Sequence, residues 1–177
     1  PLPTPVDPNN PPAPVNDARP TASINTASRY EGGDNIHTVT ITGDSNSITP
    51  VTVTLTSGTA TLGTDTGLVE YSLDGGATWT AANVSSGSFT VDVPAHGTGF
   101  LVKVPTTQDT VLEGPETYSI SVATPKQTAD ATPSTATGTI VDNGSPLPTP
   151  VDPNNPPAPV NDDRPSASIN NASQYEG

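Results

Sequence analysis

Residues 51–57 read Val-Thr-Val-Thr-Leu-Thr-Ser, an alternation of apolar and hydroxyl side chains. Successive side chains of a β-strand point to opposite faces, so this period of two predicts a strand with one face on a core and the other in solvent. Many short strands of this kind, joined by turns such as Asp74-Gly75-Gly76, indicate an all-β, antiparallel β-sandwich. The same alternation predicts strands at 21–30, 36–42, 67–73, 77–81, 88–93, 99–104, 116–123 and 136–141.

The composition narrows the possible functions. The 177 residues include 22 Pro and 15 Gly but no Cys, which excludes a disulfide framework and a Cys-ligated metal centre. A net charge of −13 leaves no basic surface for phosphates, so we expect no nucleic-acid partner and favour cations instead. No apolar stretch approaches the roughly 18–20 residues that a membrane-spanning helix needs, so we expect no membrane span.

The sequence contains a long internal repeat. Residues 1–32 return at 146–177, an offset of 145, with four differences. We therefore expect one complete unit of a tandem array followed by the start of the next. Because the chain begins at Pro1 rather than Met, we also expect it to be a piece of a longer protein.

Proline divides each unit into a linker and a domain. Eight of the first twenty residues are Pro, which fixes φ, removes backbone donors and favours polyproline II. At about 3.1 Å per residue, such a linker spans about 60 Å when fully extended and acts as a semi-rigid spacer. The expected organisation is a Pro-rich linker at 1–20, a β-sandwich domain at 21–145, the next linker at 146–165, and the first strand of the next domain at 166–177.

Strand order predicts where the acidic residues gather. In an up-and-down succession of antiparallel strands, the loops alternate between the two ends of the sandwich. We call the end where the linker joins the domain the entrance end, and the opposite end the exit end. Only Asp44, Asp74 and Asp130 are expected at the entrance end. Seven acids are expected at the exit end: Glu31, Asp34, Asp65, Asp109, Glu113, Glu116 and Asp142.

This concentration of carboxylates predicts a cation site. Like charges repel one another, raise pKa values and destabilise a fold unless a cation neutralises them. Oxygen ligands without His or Cys suit Ca²⁺, which accepts roughly six to eight such ligands in irregular geometry. The alternative interpretation is an acidic, solvated surface that holds no metal.

Four segments resemble the signatures of Calx-β domains. Residues 109–118 resemble D-x-x-x-E-x-x-E-x-[FY], and residues 136–143 resemble A-T-x-T-I-x-D-[DN]. Residues 28–32 are similar to the first-strand motif of the family, and residues 58–65 to its G-T-A-x-x-G-x-D loop. The hairpin at 71–79 is similar to insertions in the Ig-like repeats of giant bacterial RTX and biofilm adhesins.

The resemblance covers about residues 22–143 and implies a Calx-β/Ig-like sandwich that binds calcium where it meets its neighbour. Glu116 matches a structural acid of the family. Gln108 stands where strong binders often have a second Asp, and Asn143-Gly144 replaces a terminal acidic run, so fewer ions and weaker binding are expected. The calcium ligands implied by the resemblance are Glu31, Asp65, Asp109, Glu113 and Asp142.

These observations favour a non-catalytic extender repeat of a long secreted bacterial surface adhesin. Calcium would stiffen its joints with neighbouring repeats of the same chain, and the protein would serve cell-surface attachment or biofilm cohesion. One alternative is an extracellular fibre or matrix subunit, joined to other copies through the Pro-rich arm and strand exchange. Another is a glycan-binding module that uses Trp79. No activated-nucleophile motif is present, and His37 and His96 are expected at different ends, so we expect no enzyme.

Overall fold

The structure is a computed structural model that describes residues 20–109, 113–130 and 132–142. Apart from Pro20, the predicted linkers and the predicted strand at 166–177 lie outside the described residues. Within these ranges the chain forms strands and one short helix, and no helix is long and apolar enough to cross a membrane. The elements are β1 (Thr21–Ile24), β2 (Ala27–Tyr30), β3 (Asp34–Thr42), β4 (Thr49–Ser57), β5 (Glu70–Ser72), β6 (Thr80–Ala81), β7 (Ser88–Val93), β8 (Gly99–Pro105), β9 (Glu116–Ala123), α1 (Pro125–Asp130) and β10 (Ser134–Val141).

Two five-stranded sheets pack face to face, which confirms the predicted β-sandwich. One sheet has the order β1-β3-β8-β5-β6 and the other the order β2-β10-β9-β4-β7. The paired strands are antiparallel except β2 and β10, which run parallel. This pair departs from the antiparallel arrangement that the rest of the sandwich follows.

The parallel pair arises because the predicted strand 21–30 is two strands. Its first half pairs with β3 in one sheet, and its second half continues in the same direction but pairs with β10 in the other sheet. The crossing occurs at Asn25, whose Oδ1 accepts a hydrogen bond from Thr38 N at 2.5 Å. The side chain of Asn25 thus accepts the backbone N–H of Thr38 on β3, at the point where the chain stops pairing with β3.

The core lies between the sheets, and the alternating residues fill it as predicted. On β4, Val51, Val53 and Leu55 are buried, whereas Thr52 and Thr56 are exposed. The other strands contribute the same period-two face, so most of the core comes from Val and Ile. Further buried members are Val39, Ile41, Phe89, Val91, Val93, Phe100, Val102, Val104, Tyr118, Ile120, Val122 and Ile140.

The hairpin between β5 and β6 departs from the prediction. In the predicted strand 67–73, the alternation puts Leu73 on the same face as Val69 and Tyr71, but Leu73 is 45% exposed because β5 ends at Ser72. The Ser72 hydroxyl donates to Asp74 Oδ1 at 2.7 Å and accepts from Gly76 N at 2.8 Å, so the turn begins there. The predicted strand 77–81 is reduced to Thr80–Ala81.

Helix α1 was not predicted, although its sequence carries a capping box. Thr124 N donates to Gln127 Oε1 at 3.1 Å, Gln127 N donates to Thr124 Oγ1 at 3.4 Å, and Pro125 occupies the first helical position. The buried Gln127 carboxamide also accepts from Ala22 N at 2.7 Å and donates to Ala22 O at 2.9 Å. The helix therefore fixes the start of β1 at the entrance end.

Candidate functional site

The strand registers place the ends of five strands together at the exit end. Asp34, at the start of β3, lies opposite Pro105 at the end of β8, and Glu116, at the start of β9, lies opposite Ile140 near the end of β10. Parallel pairing sets the end of β2 beside the end of β10. Because Pro20 precedes β1 at the other end, the described chain enters and leaves the sandwich at opposite ends.

Glu31 is the most buried acid at the exit end, with 6% of its surface exposed. Its backbone N donates to Val141 O at 3.0 Å, which ties it to the last strand. The pKa of Glu31 is raised to about 7, chiefly by burial and also by the negative charges of Asp109, Asp142 and Glu113, against the lowering effect of a hydrogen bond from the Asp109 backbone. A carboxylate in this position is costly to ionise unless a cation compensates it.

Asp142 and Glu113 connect the exit strand to the loop after β8. Glu113 N donates to Asp142 Oδ2 at 2.9 Å. The charges of both residues act on Glu31, so these residues and Asp109 form one electrostatic group around it. We call Glu31, Asp109, Glu113 and Asp142 the exit cluster.

Asp65 and Glu116 form a second acidic pair beside the exit cluster. Asp65 Oδ2 accepts from Thr61 N at 2.6 Å, which holds the loop after β4. Burial raises the pKa of Glu116, and the charges of Asp65, Glu113 and Asp109 together with a hydrogen bond to Asp65 raise it as well. Glu116, expected to be only a structural acid, therefore links Asp65 to the exit cluster.

The structure thus brings four of the five proposed ligands into one group and sets Asp65 next to it. Asp34 lies at the same end but is exposed, and its backbone carbonyl accepts from Arg29 Nε at 3.1 Å. In the part of the chain that the structure describes, no three His, Asp or Glu side chains are arranged to hold a metal ion. Calcium ligation by Glu31, Asp65, Asp109, Glu113 and Asp142 stays a prediction. The donor set itself, hard carboxylate oxygens around a buried Glu, fits Ca²⁺.

Gln108 forms hydrogen bonds within the exit cluster, a role that the sequence motifs did not indicate. Its Nε2 donates to Glu31 Oε2 at 3.4 Å and to Asp109 O at 3.0 Å. Gly32 makes room for it, because a Cβ at Gly32 would lie 3.0 Å from Gln108 Oε1 and the φ of +72° disfavours other residues. Gln108 therefore supplies amide donors to an acidic cluster where a second carboxylate would add repulsion.

The two histidines lie apart, as predicted. His37 is fully buried, with Nδ1 2.9 Å from Asn25 O and Nε2 2.9 Å from Tyr118 Oη. His96 lies in an entrance-end loop, 2.7 Å from Asp44 Oδ1. Burial lowers the pKa of His37 and raises that of Tyr118. The buried pair holds β3 to β9 and belongs to the core, not to a catalytic site.

We expect acid to destabilise the domain through His37. The folded state binds a proton at His37 less readily than the unfolded chain, whose His has a pKa of 6.5. The stability that neutral His37 contributes is therefore fully present above pH 6.5 and is lost as the pH falls below it. The thermal midpoints of the wild type and of His37→Gln should therefore converge as pH falls from 7.5 to 5. If the difference between the thermal midpoints of wild type and H37Q did not change with pH, this expectation would be contradicted.

Trp79, the basis of the glycan-binding hypothesis, is engaged by its own domain. Lys103 Nζ lies 4.5 Å from the centroid of the Trp79 ring and pairs with Glu70. One face of the indole is thus covered by a cation–π contact. This arrangement offers a sugar ring less stacking surface than an open platform would.

Comparison with known proteins identifies the fold. No family model and no curated protein matches the sequence. The crystal structure of CBD12 from CALX1.2 is similar, with a TM-score of 0.51 and 20% identity over 70% of this chain, which spans 45% of the length of that chain. The apo-form Calx CBD1 domain gives a TM-score of 0.46 at 20% identity, covering 69% of this chain and 97% of that chain. The collagen binding subdomain ACE19 of the Enterococcus faecalis surface protein ACE gives 0.39 at 10% identity, with coverages of 68% and 95%. The first likeness shows that the chain has a Calx-β-like sandwich fold.

Proposed function

We propose that the chain is a non-catalytic, extracellular extender repeat of a long secreted bacterial surface adhesin. In this proposal, calcium bound at the exit end stiffens each joint with the next repeat, and the array serves cell-surface attachment or biofilm cohesion. The observation that supports it best is that the chain leaves at Asp142, within the exit cluster, at the end opposite to Pro20. Domains with this connectivity join end to end into a rod.

The charge of the exit cluster supports the calcium part of the proposal. Without a cation, Glu31 stays protonated to about pH 7, because its ionised form is buried and faces three other carboxylates. A divalent cation would offset both the burial and the repulsion. Glu31, Asp65, Asp109, Glu113 and Asp142 would hold the ion, and Glu116 would add negative charge beside it.

Calcium titration of the 177-residue chain tests this proposal. Extracellular calcium modules commonly bind with a dissociation constant of roughly 10⁻⁴–10⁻³ M. At about 10 mM Ca²⁺ such affinities stabilise the folded state by roughly 1.4–2.7 kcal/mol, which raises the thermal midpoint. Asp142→Asn should abolish most of this rise, whereas Asp92→Asn, at an exposed position of β7, should leave it unchanged. The proposal fails if Ca²⁺ does not stabilise the wild type, or stabilises the D142N variant equally.

A second candidate function is a fibre in which strands are exchanged between copies. The repeated segment 166–177 carries counterparts of residues that make contacts in β1 and directly beside β1 and β2: Ala167, Asn170 and Glu176 correspond to Ala22, Asn25 and Glu31. A second copy of the segment could therefore replace β1 and β2 of another molecule, since both strands lie at sheet edges. Light scattering should then show concentration-dependent assembly that is lost when residues 166–177 are removed. A chain that stays monomeric at millimolar calcium would rule out this function.

A further inference from the structure

An apolar cleft opens at the exit end, away from the exit cluster. It has a volume of about 430 Å³, and apolar side chains make up much of its lining. Leu68 is 84% exposed and Val84 41% exposed, and both line it. They are two of the four large hydrophobic residues that are exposed in the described part of the chain. The other apolar residues of the lining are Leu55, Leu62, Val69 and Ala82.

Backbone contacts place the cleft between the two sheets. Leu55 N, on β4, donates to Gly87 O at 2.8 Å, and Ala82 N donates to Val69 O at 2.8 Å. Gly67 N donates to Pro105 O at 2.8 Å, which fixes the loop after β4 to the end of β8. The cleft therefore lies at the same end of the sandwich as the departing chain.

The chain beyond Asp142 is long enough to reach the cleft. In their sheet, β10 is followed by β9 and then by β4, so at about 4.8 Å per strand β4 lies about 10 Å to the side of the exit strand. Asp142 and Leu147 are five residues apart, which span about 16 Å when extended. Leu55, at the base of the cleft, lies about six residues below Asp142 along the strands, which is about 20 Å. An extended segment therefore reaches the exit-side rim of the cleft, where Leu68 and Val84 are exposed, and not Leu55.

The chemistry of the departing segment matches the cleft. Residues 143–150 read Asn-Gly-Ser-Pro-Leu-Pro-Thr-Pro and carry no charge, so the acids at the exit end do not repel them. Proline-rich segments bind apolar grooves at low entropic cost, because their extended conformation is preformed. Leu147 is the one large aliphatic side chain among these residues.

We propose that this cleft binds residues 146–150 of the same chain, with Leu147 packed against Leu68 and Val84. The contact would set the direction in which the linker leaves the domain. It uses different residues from the exit cluster and holds whether or not that cluster binds calcium.

Paramagnetic labelling of the 177-residue chain tests this docking. Since the sequence has no cysteine, Thr149→Cys provides a unique spin-label position within the segment. We expect the methyl NMR signals of Leu62, Leu68 and Val84 to lose most of their intensity, while Ile48, whose neighbours in its pocket include Pro20 and Thr124 at the entrance end, keeps its own. The additional substitution Leu147→Ser should restore the lost signals.

The first copy of the segment gives a matched control. Thr4 occupies the same place in Pro1–Pro5 as Thr149 in Pro146–Pro150, so Thr4→Cys tests the same local sequence attached at the other end of the domain. A Thr4 label should leave Leu68 and Val84 largely intact. The proposal is overturned if the Thr149 label does not affect these signals, if L147S does not reverse the effect, or if both labels act equally. It is also overturned if the loss disappears on dilution with unlabelled protein, because the occupant would then be a second copy.

Discussion

Replacing Gly138 with Ala is expected to destabilise the domain by about 3 kcal/mol, at the upper end of the range for overpacked cores. Gly138 on β10 lies opposite Tyr118 on β9. A Cβ at Gly138 would lie 2.0 Å from Tyr118 Cζ, far inside van der Waals contact. The ring has no free space to move into, because Tyr118 is 1% exposed and its hydroxyl lies 2.9 Å from His37 Nε2.

Urea unfolding measures this effect, and the chain offers a matched control. A Cβ at Gly114 would meet no atom of the described residues within 4 Å, so Gly114→Ala should change stability by less than about 0.5 kcal/mol. Adding Tyr118→Leu to G138A should cost less than the sum of the two single changes, because the clash with the ring is then removed. Equal effects of G138A and G114A would show that the Tyr118 ring does not occupy this space.

Glu31→Gln is expected to stabilise the metal-free protein and to remove most of the stabilisation that calcium gives. In the absence of metal, the raised pKa of Glu31, about 7 against an ordinary 4.5, means that the folded state holds a proton that the unfolded chain releases. Stability therefore falls as pH rises from 4.5 to 7, and the loss is complete at pH 8. Because one pKa unit corresponds to about 1.4 kcal/mol, we expect Gln to stabilise the metal-free domain at pH 8 by roughly 1–3 kcal/mol.

The same variant should lose most of the stabilisation that calcium gives to the wild type. At pH 8 the thermal midpoint of E31Q should therefore lie above that of the wild type in chelator, and about 10 mM Ca²⁺ should raise the midpoint of E31Q much less than that of the wild type. Asp34→Asn removes a charge from an exposed acid at the same end and should move both midpoints little. If E31Q were less stable than wild type in chelator, the free energy that we assign to ionising buried Glu31 would be contradicted.

The sequence predicted the fold well wherever one face of a strand is apolar. On β4, β7, β8 and β9 the alternation of apolar with polar or partly buried residues sufficed, because burial selects every second side chain. The division of 21–30 into β1 and β2 was missed, since Asn25 looks like any polar residue within a strand. Helix α1 was missed because six residues carry too little periodicity, although Thr124 and Gln127 have the capping-box spacing.

The sequence also predicted which end of the sandwich is acidic, but it did not predict how the acidic side chains are arranged at that end. Strand direction fixes which end a loop occupies, and this sufficed to place Glu31, Asp109 and Asp142 together. It says nothing about side-chain directions within the loops. The hydrogen bond between Asp65 and Glu116 and the amide of Gln108 beside Glu31 therefore appeared only in three dimensions.

Small-angle X-ray scattering from a tandem of two 145-residue units tests the central proposal most directly. With millimolar Ca²⁺ at pH 8, we expect an extended, narrow distribution of interdomain distances, because an ion among Glu31, Asp109, Glu113 and Asp142 would restrict the joint at the exit of the first domain. In chelator the distribution should broaden and its mean should shorten, and Asp142→Asn in the first unit should give the chelator result even with calcium. Identical distributions with and without calcium would contradict a calcium-stiffened rod.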